Sequence, residues 1–362
     1  MRHCPQMPAP CQPGDRVAIV SPSWAAPAFF PELHEQAMAR LRDDLDLVPV
    51  EYPTTRVPST PQERARDLMA AFTDPSISAV MASIGGDDQI TVIPHLDGAV
   101  VRAHPKPFFG YSDNTNLLNW LWHNGIASWH GGSTQVHLSG PAPDPTHLAS
   151  LRAALFGSPH VVTPLAESRD FGLSWDDPRS LTQLPDNEPS PHGWTWLNAH
   201  ASVTGVTWGG NLEVLQWILA VGHHVRPVAA YEGCVLLLET SEEHPDAAQV
   251  WRMMTVLGER GLLAAAAAVV VARPVAYELG HDPGVHARAA YRDDQRDAIV
   301  AAIDRYAPGI PLVIGVEFGH TSPQYVLPYG GELTLDPVQG ALIVESGPLG
   351  PLGRPQERMP CA

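Results

Sequence analysis

From Asp15 onward, short apolar runs alternate with stretches whose apolar residues recur every three or four positions. RVAIVSPS (16–23) is a continuous apolar run closing in a Pro/Ser turn, the pattern of a strand buried on both faces. PELHEQAMARLRDDL (31–45) sets Leu33, Ala37, Met38, Leu41 and Leu45 at helical spacing. PQERARDLMAAFTD (61–74) predicts a second helix, with Pro61 at its start, where a missing N–H costs nothing. ISAVMASIGGDDQ (77–89) is a strand ending in glycines, and PFFGYSDNTNLLNWLWHNG (107–125) reads as strand, sharp turn, helix. Strand, helix and strand repeating in this way predict an α/β fold with an open parallel sheet of the Rossmann or flavodoxin kind. Such sheets bind ligands beyond the carboxyl ends of their strands, where the conspicuous polar residues of this half fall.

Residues 158–204 break the rhythm. They are rich in Pro, Asp, Ser and Trp with little periodicity, which predicts a linker or an inserted lid. Order resumes in VTGVTWGGNLEVLQWILAVG (203–222), followed by a strand in GCVLLLETSEE (233–243) and a helix in PDAAQVWRMMTVLGERG (245–261). The alanines of AAAAAVVVARP (264–274) suit a helix, but its β-branched end and closing Pro favour a buried strand. A helix around 292–306 precedes PLVIGVEFGHTSPQYVLPYGGELTLD (311–336), read as strand, loop and β-hairpin. The expected division is an N-terminal tail (1–13), an α/β domain (14–150), a linker or lid (151–204), a second domain (205–346) and a Pro-rich C-terminal tail (347–362).

Composition narrows the functional classes. Of 362 residues 44% are apolar, enough for extensive cores, and the formal charge of −17 argues against nucleic acid as the main partner. The longest wholly apolar run, Leu262–Ala272, has 11 residues, too few to span a bilayer. The first residues show no apolar signal-peptide core. Four cysteines (Cys4, Cys11, Cys234, Cys361) without CxxC spacing predict neither a disulfide framework nor a zinc ribbon, and there is no HExxH. The expectation from composition is a soluble, cytoplasmic, two-domain protein with no membrane span and no zinc site.

The sharpest chemical candidate is Ser112 in FFGYSDNTNLL. A Gly two residues before a Ser, between an apolar strand and a helix, is the layout of a nucleophile elbow, although Asn114 stands where a second Gly is usual. The competing reading is that Ser112 or Asp113 simply caps the helix. A serine nucleophile needs a base and an orienting acid. His320 in GVEFGHTSP closes an apolar strand, and Glu239 in CVLLLETSEE ends another, where a carboxylate is costly unless paired. Each also has a bland reading, His320 as one loop histidine among 17 and Glu239 as the first of an acidic run with Glu242 and Glu243. The IGGDDQ loop (84–89) offers free backbone N–H groups for an oxyanion or a phosphate, or is merely a tight turn with solvated aspartates. Read as a GGDG-like nucleotide-kinase signature it lacks a glycine, and no GxxxxGK[ST] or GxGxxG accompanies it. Trp194 and Trp196 in HGWTWLNAH either stack on a flat ligand or plug the lid onto the domain surface.

Together GDRVAIVSPS, IGGDDQITVIPHLD, FFGYSDNTNLLNWLWHNGIASWHGG, VTGVTWGGNLEVL, LLLETSEE and VEFGHTSPQYVLPYGG resemble, in order, the serine peptidase family of LD-carboxypeptidases and microcin C7 self-immunity proteins. The resemblance implies a Ser-Glu-His triad with Ser112 as nucleophile, His320 as general base and Glu239 orienting it. It implies an oxyanion hole at the backbone N–H groups of Gly86 and Asp113, a smaller β-rich C-terminal domain, a homodimer and no cofactor. The GGDDQ, YSDNTNLLN, WTWL and FGHTSPQ segments look closer to the immunity branch, which cleaves the amide between an amino acid and a modified nucleotide and so detoxifies an antibiotic. In that branch a tryptophan of the insert stacks on adenine, with Trp194 the first choice and Trp196 the second. Asn211 in GGNL then lines the pocket or serves a backbone turn. The alternatives are an LD-carboxypeptidase releasing D-alanine from murein tetrapeptide, and a non-catalytic nucleotide binder.

Overall fold

The computed structural model describes residues 2–170, 172–190, 193–277 and 281–345. The first half runs β1 (Arg16–Val20), α1 (Pro31–Asp43), β2 (Val48–Glu51), α2 (Pro61–Thr73), β3 (Ile77–Ala82), α3 (Gly98–Ala103), β4 (Phe108–Gly110), α4 (Thr115–His123) and β5 (Ser128–His130). Helices α5 (Thr134–His137) and α6 (Pro145–Phe156) lead into β6 (His160–Val162), β7 (Glu167–Ser168), β8 (Glu188–Pro189) and β9 (Thr195–Leu197). The second half is β10 (Val203–Asn211), α7 (Leu212–Val221), β11 (Val235–Glu239), α8 (Ala247–Glu259), α9 (Leu262–Ala265), β12 (Ala268–Ala272), α10 (Val285–Tyr306), β13 (Leu312–Val316), β14 (Leu327–Tyr329), β15 (Glu332–Asp336) and β16 (Ala341–Val344).

The α/β sheet expected in the first half forms, with strands β5-β4-β3-β1-β2 all parallel. Its helices begin where local chemistry dictates. The Thr60 hydroxyl accepts from the Glu63 N–H while the Glu63 carboxylate accepts from the Thr60 N–H, so a capping box with Pro61 behind it opens α2. The second sheet has eight strands in the order β6-β16-β15-β10-β11-β12-β13-β9. Its parallel centre, β10 to β13, is flanked on both sides by antiparallel strands, which makes this half β-rich. Strands β11 (VLLLE) and β12 (AVVVA) are buried at every residue, as continuous apolar runs covered on both faces require.

Two local expectations give way to tertiary pairing. The hairpin expected within 311–336 does not form. β14 instead pairs antiparallel with β5 on the exposed edge of the first sheet, and β15 pairs with β10 and β16. A free sheet edge presents unpaired N–H and C=O groups, and β14 satisfies them. Segment 158–204 is woven into the second sheet at both ends, since β6 and β9 are its two outermost strands. Residues 2–12 are pinned as well: His3 N–H donates to Ala230 O, Gln6 N–H to Gly125 O and Cys11 N–H to Leu155 O. Cys11 and Cys234 are buried free thiols, whereas Cys4 is disulfide-bonded, one bond where the spacing predicts no framework. The C-terminal tail expected at 347–362 lies outside the described residues.

What aligns the two halves is a shared aromatic core. Trp122 of α4 stacks on Tyr231 with ring centroids 5.0 Å apart, and Trp208 of β10 meets the same ring edge-on at 4.7 Å. The Trp208 indole N–H donates to Asn119 Oδ1 of α4 at 3.1 Å. Gly210 lets β10 approach α4, because a Cβ there would sit 2.6 Å from Thr115 Oγ1. The Asn211 N–H donates to that same hydroxyl at 3.0 Å. The start of α4, which follows Ser112, is therefore held against the end of β10, which lies in register with the end of β11. Among the described residues no helix is long and apolar enough to cross a membrane.

Candidate active site

β4 carries the apolar FFG run to the middle of the first sheet, and the chain then turns sharply through Ser112–Asn114 into α4. Ser112 takes φ = +63°, a left-handed conformation that costs a non-glycine residue about 1 kcal/mol and is retained where the surroundings enforce it. The enforcement is visible. The Asp113 side chain is 1% exposed and anchors the turn: Oδ2 accepts from the Gln89 N–H at 2.9 Å and from the Ser23 hydroxyl, and Oδ1 from Asn116 Nδ2 at 2.9 Å. Burial raises its pKa, while the bonds from Ser23 and Gln89 oppose the rise. Gly85 packs directly on the turn, for a Cβ there would lie 2.9 Å from Ser112 Cβ and 3.3 Å from the Asp113 nitrogen. Gly86 faces Ser23 so closely that its Cβ would collide with the hydroxyl. The GGDD loop is thus closed onto the serine turn. Asp88 is clamped by Arg64 through bonds of 2.7 and 2.8 Å, and Asp87 is exposed.

Glu239 ends β11 and is 1% exposed; His320 lies in the loop after β13. His320 Nδ1 and Glu239 Oε2 are 2.6 Å apart. An ionised carboxylate only accepts, so Nδ1 carries the proton and Nε2 is left as the basic atom. Gly319 permits the approach, because a Cβ there would sit 3.1 Å from Glu239 Cβ. Tyr111 packs edge-on against the imidazole at 4.9 Å, bringing the residue before Ser112 into contact with His320. Among the described residues no hydrogen bond joins Ser112 Oγ to His320, and the serine is half-buried.

The electrostatics are asymmetric. Burial alone would lower the His320 pKa, but the charges of Glu239 and Glu242 and the bond to Glu239 outweigh it and raise the pKa to about 9. Glu242 Oε2 lies 3.4 Å from Nε2. Burial would raise Glu239, and His320 overcomes it and holds the carboxyl below its usual range. The other oxygen, Oε1, sits 4.0 Å from Nε2 of His130 at the end of β5, so a strand end of the first sheet and the loop after β13 of the second contribute histidines around one carboxylate. His130 is driven down to about 4 by burial, against the pull of Glu239, and is neutral near pH 7. Asn211, aligned with Glu239 across β10 and β11, caps α7 by accepting the Val214 N–H at 2.9 Å.

Of the three residues taken from sequence as one constellation, Glu239 and His320 meet directly, and Ser112 is tied to them through Tyr111, whose ring packs on His320, with Gly85 against the serine. The two tryptophans expected in a lid are placed otherwise. Trp194 is only 7% exposed and its indole N–H donates to the buried Glu317 at 2.8 Å. Trp196 lies on β9 paired to β13. Exposed aromatic surface beside the Gly85 loop is offered by Trp24, 39% exposed, whose backbone N–H donates to Gly85 O at 3.1 Å. Its ring stacks near-parallel on Trp175 of the inserted segment, centroids 6.5 Å apart and planes 12° apart. Sequence reasoning also missed Tyr111, His130 and Glu213 and took Glu242 only as part of an acidic run, although His130, like His320, closes an apolar strand. Among the described residues no three His, Cys, Asp or Glu side chains gather as a metal set.

Residues 17–131 match the family model of the LD-carboxypeptidase N-terminal domain, and residues 204–335 that of the LD-carboxypeptidase C-terminal domain. The probable murein peptide carboxypeptidase of Bacillus subtilis is 24% identical over 288 residues, 79% of this chain and 77% of its own length. The microcin C7 self-immunity protein MccF of Escherichia coli is 25% identical over 284 residues, 76% of each chain. A solved MccF-like protein from Streptococcus pneumoniae in complex with AMP shares the fold with a TM-score of 0.81 at 24% identity, over 92% of this chain and 99% of that one. MccF in complex with aspartyl sulfamoyl adenosine does so with a TM-score of 0.79 at 20% identity, over 94% and 99%.

Proposed function

This chain belongs to the LD-carboxypeptidase family of peptidases, and from that premise we propose that it is a serine-type amidase cleaving the amide between an amino acid or peptide and a nucleotide-like group. The observation that carries this reading is the 2.6 Å Glu239–His320 bond, whose imidazole touches the residue preceding a serine on a left-handed turn. In the proposed reaction His320 Nε2 takes the Ser112 hydroxyl proton as Oγ adds to the scissile carbonyl. The backbone N–H groups of Gly86 and Asp113 receive the developing oxyanion, and His320 returns the proton to the leaving nitrogen. Water, activated by the same imidazole, then releases the acyl group from Ser112. Glu239 holds the ring and balances its charge.

The nucleotide half of the reading rests on the Trp24–Trp175 pair beside the Gly85 loop, an exposed aromatic surface suited to a flat base. That role replaces the one expected of Trp194 and Trp196. Two structural neighbours bind such groups: MccF has been solved with aspartyl sulfamoyl adenosine and an MccF-like protein with AMP. The resemblance also takes the working form to be a cytoplasmic homodimer. The test is to incubate the protein with aspartyl sulfamoyl adenosine and, separately, a murein tetrapeptide, following both by mass spectrometry. Release of aspartate from the first substrate is expected. Loss of D-alanine from the tetrapeptide alone replaces this reading with a murein peptide carboxypeptidase, the activity in the name of the B. subtilis relative.

A further inference from the structure

Next to the triad lies a buried carboxylate that the proposed reaction does not use. Glu213, in the first turn of α7, is 8% exposed. Its Oε1 accepts two bonds of 2.9 Å from Ser241, one from the N–H and one from the hydroxyl. Its Oε2 is buried and has no donor. An acceptor left unsatisfied in a protein interior costs free energy comparable to a lost hydrogen bond, about 1–3 kcal/mol, and such groups need an explanation. Glu213 borders a cavity of about 310 Å³ whose lining also includes Trp217, Glu243, Gln249 and Arg252. That volume is at the lower end of the range for small-molecule sites, about 300–1,000 Å³.

The cavity is coupled to the triad. Ser241 is two residues beyond Glu239, and Glu213 adds to the negative field that favours the protonated His320. Burial, with the charge of Glu239, raises the Glu213 pKa to about 7. A cation in the cavity favours the carboxylate form, and a turn of the Glu213 side chain toward it gives Oε2 the donor it lacks. The lining agrees in sign, with the carboxylates of Glu213 and Glu243 against the single guanidinium of Arg252, which is exposed on α8. Trp217 adds an aromatic face of the kind that attracts ammonium groups.

We propose that this cavity is a specificity subsite for an ammonium group on the substrate residue flanking the scissile amide, with Glu213 as its ligand. The assignment rests on the reading of the chain as an amidase and deepens it. It separates from that reading experimentally. Specificity constants are measured for lysyl and norleucyl sulfamoyl adenosine, which share the four-carbon side chain and differ in the terminal ammonium that only lysine carries. Wild-type protein is expected to favour the lysyl conjugate at least tenfold at pH 8. Glu213→Gln is expected to bring the two within threefold, a ratio that a merely structural loss would leave in place. Equal constants in the wild type, or an undiminished ratio in the variant, overturn the proposal. In parallel, n-butylammonium is titrated into wild type and Glu213→Gln by calorimetry, a readout independent of turnover. Saturable binding abolished by the substitution supports the subsite even if neither conjugate is cleaved, in which case the amidase reading alone falls. No binding to wild type removes the subsite. Should Glu213→Gln not fold, Glu243→Gln at the exposed edge is expected to weaken both preference and binding severalfold, and an unchanged preference overturns the assignment.

Discussion

At the scale of single residues, the proposed reaction makes the protonation of His320 decide when the site can work. A general base must be neutral, and with its pKa raised to about 9 the imidazole is mostly charged at pH 7 and becomes basic as pH rises through that value. The rate constant kcat/KM is therefore expected to climb from pH 7 toward pH 9. Glu242 contributes to the elevation from 3.4 Å and is half-exposed, so its replacement need not disturb the buried Glu239 bond. Glu242→Gln should move the acidic limb of the pH–rate profile to lower pH, raising relative activity at pH 7. A limb that stays in place would show that Glu242 does not act on the base. Ser112, Glu239 and His320 were legible because each interrupts or ends an apolar run, where a polar residue has few purely structural uses. Glu242 and Glu213 were not, since their partners, His320 and Ser241, lie 78 and 28 residues away or on other elements, and nothing local marks the meeting.

At the scale of elements, the site depends on how strands end and helices begin. Asn211 terminates β10 and caps α7, which places Glu213 in the first helical turn and aligns its own side chain beside Glu239. Asn211→Ala is expected to cost about 1 kcal/mol of stability in denaturant unfolding through loss of the cap. Asn211→Ser, which can cap, should recover that stability. If Asn211 lines the pocket as well, the serine variant will keep a raised KM although its stability is restored; a KM equal to wild type confines the residue to capping. The parallel strands and α2 were readable from local pattern because continuous apolar runs, Pro61 and the capping pair are written within a few residues. β14 was misassigned for the opposite reason. Leu327–Tyr329 followed by two glycines carries the turn signal of a hairpin, while Pro328 within it suits an edge strand, and the free edge of β5 draws it away.

At the scale of the whole molecule, two sheets and a shared aromatic core hold β4 and β11 in one frame, while the inserted segment returns Trp175 to Trp24 on the first half. This frame was legible as an α/β half with an open parallel sheet followed by a β-rich half. The contribution of segment 158–204 to both edges of the second sheet was not, because its short strands are specified by their partners rather than by periodicity. The Pro-rich start likewise read as a tail, yet its backbone bonds tie α6, the α4–β5 turn and the residues before β11 together. If the Trp24–Trp175 surface holds the base, Trp24→Ala should raise KM for aspartyl sulfamoyl adenosine roughly tenfold or more, in keeping with about 1–3 kcal/mol per stacked base. It should leave kcat within a fewfold of wild type. An unchanged KM would place the nucleotide elsewhere.

The central claim is that Ser112 is the nucleophile served by Glu239 and His320. The most direct measurement compares wild type and Ser112→Ala at equal concentration on aspartyl sulfamoyl adenosine at pH 9, with released aspartate quantified by mass spectrometry and folding checked by circular dichroism. The account predicts a folded variant whose kcat has fallen by about 10³-fold or more. A folded Ser112→Ala that releases aspartate at a rate near wild type would contradict it.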